Sequence, residues 1–88
     1  MNSKSIRYTE VKNVFEKIKN TLPNVTFGET EQTLTLYLKA VRKGVLLEYY
    51  YISGNAQVYR YIDADNLTPL TTIPDRLENI LIDDLKEV

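Results

Sequence analysis

Cysteine, histidine and tryptophan are all missing from this chain of 88 residues. Without cysteine there is no disulfide framework and no thiolate nucleophile. Without histidine there is no side chain poised to exchange a proton near neutral pH, and a Cys/His zinc site is excluded. Ser3, Ser5 and Ser53 therefore have no imidazole to activate them. Glycine is scarce as well, and Gly28, Gly44 and Gly54 are too dispersed to build a phosphate-cradling loop. No apolar run approaches the 18 or so residues that a membrane span requires. Behind Lys4 and Arg7 no apolar stretch follows, which predicts no secretion signal and a cytoplasmic protein. On that reading the sequons at Asn24 and Asn66 are chance matches.

An all-carboxylate site for Mg²⁺ or Ca²⁺ remains chemically open. Asp63-Ala64-Asp65-Asn66 begins like a calcium loop, but the sixth and twelfth positions, which need Gly and Glu, hold Thr68 and Pro74. The segment reads instead as a turn whose short polar side chains bond local backbone. The pairs Asp83/Asp84 and Glu29/Glu31 read as solvated surface charge. The expectation is a protein that is not an enzyme, with no catalytic residue, no metal ligand and no cofactor.

Charge is present but unevenly spread. Residues 1–20 carry five bases and two acids, whereas residues 63–88 carry two bases and seven acids. The simplest account is a basic first helix lying near an acidic last one; a basic docking surface is the competing account. Val11, Val14, Phe15, Ile18 and Leu22 recur at helical spacing, predicting a helix over about 9–21, capped by Thr9 or Ser5 and stopped by Pro23. Thr72-Ile73-Pro74-Asp75 reads as the start of a second helix, with Ile73, Leu77, Ile80, Leu81, Leu85 and Val88 as its apolar stripe.

Between the helices the period changes to two. Val25 and Phe27 alternate, and Gly28 with Glu29-Thr30-Glu31-Gln32 reads as a turn. Residues 33–42, 45–53 and 56–62 read as strands, joined by tight turns at Lys43-Gly44 and Gly54-Asn55. Residues 63–72 read as loop. Two-residue turns fix register: Ala40, Leu38 and Leu36 fall opposite Leu47, Tyr49 and Tyr51, and Tyr51 and Tyr49 fall opposite Val58 and Arg60. Leu34, Leu36, Leu38, Ala40, Leu47, Tyr49, Tyr51, Val58 and Ile62 then share a core face. Arg60 breaks that pattern, and as a residue of an edge strand it is expected to snorkel past Tyr49.

The expected fold is thus one α+β domain over residues 1–88, with a frayed stretch at 1–6. It is two-layered: a four-stranded antiparallel meander with two helices packed on one face, in the order α-β-β-β-β-α. Four strands make a sheet roughly 19 Å wide, and two helices about 10 Å apart cover one such face. The other face is left uncovered. It carries Tyr37, Tyr50 and Tyr59 in a row, with Tyr61, Ile52 and the cross-strand pair Lys39/Glu48 beside them, and Val41 and Leu46 at one end. Ordinary strand propensity explains tyrosines in strands. A patch of roughly 500 Å² is nevertheless near the upper range for a typical monomer, and tyrosine is frequent in binding hot spots. The expected interaction residues are Tyr37, Lys39, Glu48, Tyr50, Ile52, Tyr59 and Tyr61. A protein partner, most simply a second copy forming a homodimer, ranks first. Single-stranded nucleic acid stacking on the rings ranks second, because the face lacks a basic surround for phosphates. A small ligand ranks third, because a flat sheet offers no deep pocket. A membrane is not expected as a partner.

Overall fold

The structure, a computed structural model, describes residues 7–30, 35–52, 57–63, 66–71 and 74–86. The stretch expected to fray at 1–6, the turn at Gly54-Asn55, and Leu34, Thr72, Ile73 and Val88 lie outside the described residues. Helix α1 spans Tyr8–Thr21, and strands β1 to β5 span Val25–Thr30, Thr35–Arg42, Val45–Ile52, Gln57–Asp63 and Asn66–Pro69. Helix α2, Pro74–Leu85, follows. The strands form one antiparallel meander in the order β1-β2-β3-β4-β5. Among the described residues no helix is long and apolar enough to cross a membrane.

The register is the one the turns dictate: Leu36↔Tyr51, Leu38↔Tyr49, Ala40↔Leu47, then Tyr51↔Val58 and Tyr49↔Arg60. At the first turn both Lys43 and Gly44 have positive φ, 53° and 77°. That is the backbone twist a two-residue hairpin needs, and only glycine adopts it without strain. Leu36, Leu38, Ala40, Leu47, Tyr49, Tyr51 and Val58 are buried in one cluster with Val11, Val14, Phe15 and Ile18 of α1 and Leu77, Leu81 and Leu85 of α2. Both helices therefore rest on the same sheet face. On their outer side Lys17 Nζ lies 2.9 Å from Glu78 Oε2, a solvent-exposed link between the basic first helix and the acidic last one, worth little by itself.

Helix α1 starts at Tyr8, and Thr9 lies inside it rather than at its cap. The Arg7 amide, the residue before the helix, donates to Glu10 Oε1 at 3.0 Å, so an acidic side chain in the first turn satisfies an orphan N–H and complements the helix dipole. Pro23 ends the helix as expected: Leu22 N–H still reaches the Ile18 carbonyl at 2.9 Å, and Asn24 then turns the chain with φ 57°. Pro74 occupies the first position of α2, where a missing N–H costs nothing.

Three further expectations need correction. The sheet has five strands, not four. Residues 66–69, read as loop for their Asn, Thr and Pro, pair with β4 through Arg60↔Thr68, Tyr61↔Leu67 and Tyr59↔Pro69, with a register shift between Tyr61 and Asp63. Proline is tolerated there because an outermost strand has one side without ladder partners. Strand β4 is consequently interior, and the edges are β1 and β5. Lastly, Gly28, Glu29 and Thr30 belong to β1 rather than to a turn, with Gly28 opposite Tyr37.

Among the described residues Arg42 is the one charged residue in the core, 9% exposed. Its Nη1 donates to the Val41 carbonyl at 3.1 Å, its Nη2 to the Pro23 carbonyl at 2.8 Å, and its Nε to the Leu85 carbonyl at the end of α2. An acceptor at the C-terminus of α2 suits a cation, and the Pro23 carbonyl just beyond α1 adds a second.

Candidate functional site

The side chains of Tyr37, Lys39, Val41, Leu46, Glu48, Tyr50, Ile52, Gln57, Tyr59 and Tyr61 point away from the helices, by strand alternation and the observed register. Strand β5 adds Leu67 and Pro69 to this open face, opposite Tyr61 and Tyr59. All seven expected interaction residues lie on it.

They do not form a bare apolar plane. Tyr37, Lys39, Glu48, Tyr50, Ile52, Tyr59 and Tyr61 are each half-buried by their neighbours. The Tyr37 and Tyr50 rings lie 6.4 Å apart at a 41° tilt, and Tyr61 meets Tyr50 edge-on at 5.9 Å and 74°. Among the described residues the ring contact of Tyr50 on its β4 side is thus with the diagonal Tyr61, not with the directly opposite Tyr59. Sheet twist brings diagonal neighbours within reach of long side chains. Among the described residues the exposed large apolar side chains of this face are instead at its margins: Val41 57%, Leu46 54% and Leu67 43%.

The centre of the face is electrically closed. Lys39 Nζ sits 3.7 Å from Glu48 Oε1, 5.0 Å from the Tyr37 ring centroid and 5.9 Å from that of Tyr50. The Tyr50 hydroxyl donates to the same Glu48 oxygen at 2.8 Å. One cation, one carboxylate and two rings therefore satisfy each other. The adjoining Tyr50 phenol, followed by Glu48 and Tyr37, raises the Lys39 pKa above its usual value. Partial burial, followed by the bond to Glu48, raises that of Tyr50. Both groups are held in the state they have at neutral pH.

Gly28 is the residue whose role the sequence concealed. The Tyr37 ring lies over it, and a Cβ at position 28 would fall 2.1 Å from Tyr37 Cζ. The glycine leaves room for a ring folded flat across the neighbouring strand, an arrangement in which an aromatic covers backbone that a bare glycine exposes. The readable signal was the alternation Val25–Phe27–Glu29, which continues through Gly28 as a strand. Beside Lys39 the face dips into a shallow, open depression of about 410 Å³ lined by Asn24, Thr26, Lys39, Ala40, Val41 and Leu46.

On the helix side, a second polar cluster ties α1 to the sheet. The Tyr8 hydroxyl donates to Glu29 Oε2 at 2.5 Å, Lys12 Nζ lies 3.3 Å from Glu29 Oε1, and the Tyr8 ring stacks on Tyr51 at 6.2 Å. Glu29, read above as a turn residue, is thus a strand residue anchoring a helix. The Tyr8 bond, then Lys12, holds its carboxyl below the usual value.

No family model matches the chain, and neither the curated proteins nor the solved structures contain a match.

Proposed function

We propose that this protein is a non-enzymatic interaction module that associates with a second copy of itself through the open sheet face. The observation that supports this most is the neutral centre formed by Lys39, Glu48, Tyr37 and Tyr50, flanked by exposed Val41, Leu46 and Leu67. Burying a charge is costly unless it is paired and hydrogen-bonded. Here the pair is already made within one chain, so the face can be desolvated without a complementary charge from outside. A two-fold contact sets identical patches against each other, and a patch without excess charge suffers no like-charge repulsion when it does so. Tyrosine suits the role, because its ring buries apolar area while its hydroxyl keeps a polar partner. Five strands about 4.8 Å apart and about 13 to 26 Å long present on the order of 500 Å² per side, toward the small end for specific interfaces.

Sedimentation equilibrium up to high micromolar concentration tests the proposal. A wild-type dimer that both Tyr50→Asp and Leu46→Asp convert to folded monomer is the expected result. Leu46 is exposed, so its substitution leaves the fold alone. A strictly monomeric wild type, or a dimer indifferent to both changes, overturns it. The nucleic-acid reading has less support: the face's described lysine is engaged by Glu48, whereas phosphate neutralisation needs available cations.

A further inference from the structure

Where the β2–β3 turn meets the C-terminal end of α2, on the helix-bearing side of the sheet, lies a cleft of about 330 Å³. It is lined by Arg42, Lys43, Arg60 and Lys86 against Asp83 and Asp84, with Leu47 at its apolar wall. Most of these charges have a role within the fold. Arg42 is bonded to the Pro23, Val41 and Leu85 carbonyls. Asp84 Oδ2 accepts the Tyr49 hydroxyl at 2.7 Å. Lys86 Nζ lies 3.6 Å from Asp83 Oδ1.

Arg60 is different. It is half-buried on the inner face of an interior strand, between Tyr49 on β3 and Thr68 on β5. Among the described residues it makes no hydrogen bond and no ion pair. Lys43, exposed on the adjacent turn, likewise makes none among them. Among the described lining residues four bases, Arg42, Lys43, Arg60 and Lys86, face two acids, Asp83 and Asp84, an excess of two positive charges. A guanidinium carries five N–H donors in a planar fork, and shielding it from water without a partner is costly. A local rule broken at a half-buried position is where a functional group is expected.

We propose that this cleft binds a small oxyanion, the phosphate or carboxylate group of a low-molecular-weight ligand, with Arg60 as the bidentate anchor and Lys43 as the second cation. The fork of Arg60 matches two oxygens of either group. Lys43 adds an untethered point charge at the mouth. Binding here is independent of the open face, from which the sheet itself separates the cleft.

The test is a titration of the ¹⁵N-labelled protein with inorganic phosphate, and separately with acetate, at ionic strength held constant with chloride. Saturable shifts confined to Lys43, Arg60, Lys86 and the Arg60 Nε–H are expected. The better of the two anions identifies the source of the oxyanion. Arg60→Gln is expected to weaken binding at least tenfold and Lys43→Gln about threefold, as loss of a bidentate and of a point-charge contact. Arg60→Met is expected to abolish binding while raising the melting temperature, because it removes a half-buried charge that has no ion-pair or hydrogen-bond partner among the described residues. Should the Arg60 variants fail to fold, Lys43→Gln decides by itself. Shifts that chloride reproduces, that fail to saturate with either anion, or that keep full affinity in the variants overturn the assignment.

Discussion

Tyr49, Tyr50 and Tyr51 are three identical side chains in succession on β3, and they have two fates. Tyr49 and Tyr51 lie under the helices, 0% and 3% exposed. Tyr50 stands between them on the opposite face, half-buried among Tyr37, Lys39, Glu48 and Tyr61. Chemistry does not separate them; the pleat does, since successive strand residues face opposite ways. On the covered face a phenol must find a protein partner, and Tyr49 finds Asp84. Burial first, then that bond, pushes the Tyr49 pKa well up. On the open face water is available as an alternative partner, so polar contacts there tune the surface rather than hold up the core.

The sharpest way to break the comparison is to remove volume from each side. Leu81→Ala, fully buried on α2, is expected to cost about 2–5 kcal/mol, a large share of the stability of a domain this small. Leu46→Ala, on the open face, is expected to stay within about 0.5 kcal/mol of wild type. Urea denaturation of both, at protein concentrations low enough to keep the chain monomeric, measures the contrast, and equal losses would mean that Leu46 is packed within the chain itself. A finer probe removes one oxygen. Tyr49→Phe deprives Asp84 of a donor and is expected to cost about 1–2 kcal/mol, whereas Tyr50→Phe, whose partner Glu48 keeps Lys39 and water, is expected to cost less than about 0.5 kcal/mol.

The mildest probe is pH. Tyr49, Tyr50, Tyr51 and Lys39 all hold their protons more tightly in the folded chain than at their ordinary values. The unfolded chain then releases protons first, so stability is complete below about pH 10 and falls as pH rises through and beyond it. Tyr49→Phe is expected to flatten that fall more than Tyr50→Phe, by thermal melts at pH 9 to 11. On the acid side Glu29, with its pKa lowered from 4.5, contributes stability that is complete above that value and fades as pH drops through its folded one. It is an exposed group, so the effect is small, and Tyr8→Phe is expected to diminish it.

The sheet was legible in the sequence wherever a short turn fixed its register. Lys43-Gly44 alone determines which residue faces Leu36, Leu38 and Ala40, and the row Tyr37–Tyr50–Tyr59 follows from it together with the second turn. The face composition was therefore readable. Its internal contacts were not, because pairing tables give opposite neighbours while twist decides that Tyr61, the diagonal one, meets Tyr50. Strand β5 was hidden by residues that favour loops when read locally; its ladder to β4 is a tertiary fact. Gly28 was hidden for the converse reason, since a glycine before a polar run signals a turn unless the ring that covers it is known. Arg60 was visible as an exception, and its setting became intelligible only once β5 made its strand an interior one.

Arg42 bears on how this molecule comes apart. One side chain on β2 holds a carbonyl just beyond the end of α1 and another at the end of α2, segments separated by most of the chain. Fraying the last turn of α2 exposes a buried guanidinium and slackens the exit from α1 in the same event. Helix ends ordinarily open independently and exchange their amide hydrogens early. Here the amides of the final turns of both helices are expected to exchange together, on the timescale of a larger opening, and Arg42→Met should uncouple them into two separately fraying ends.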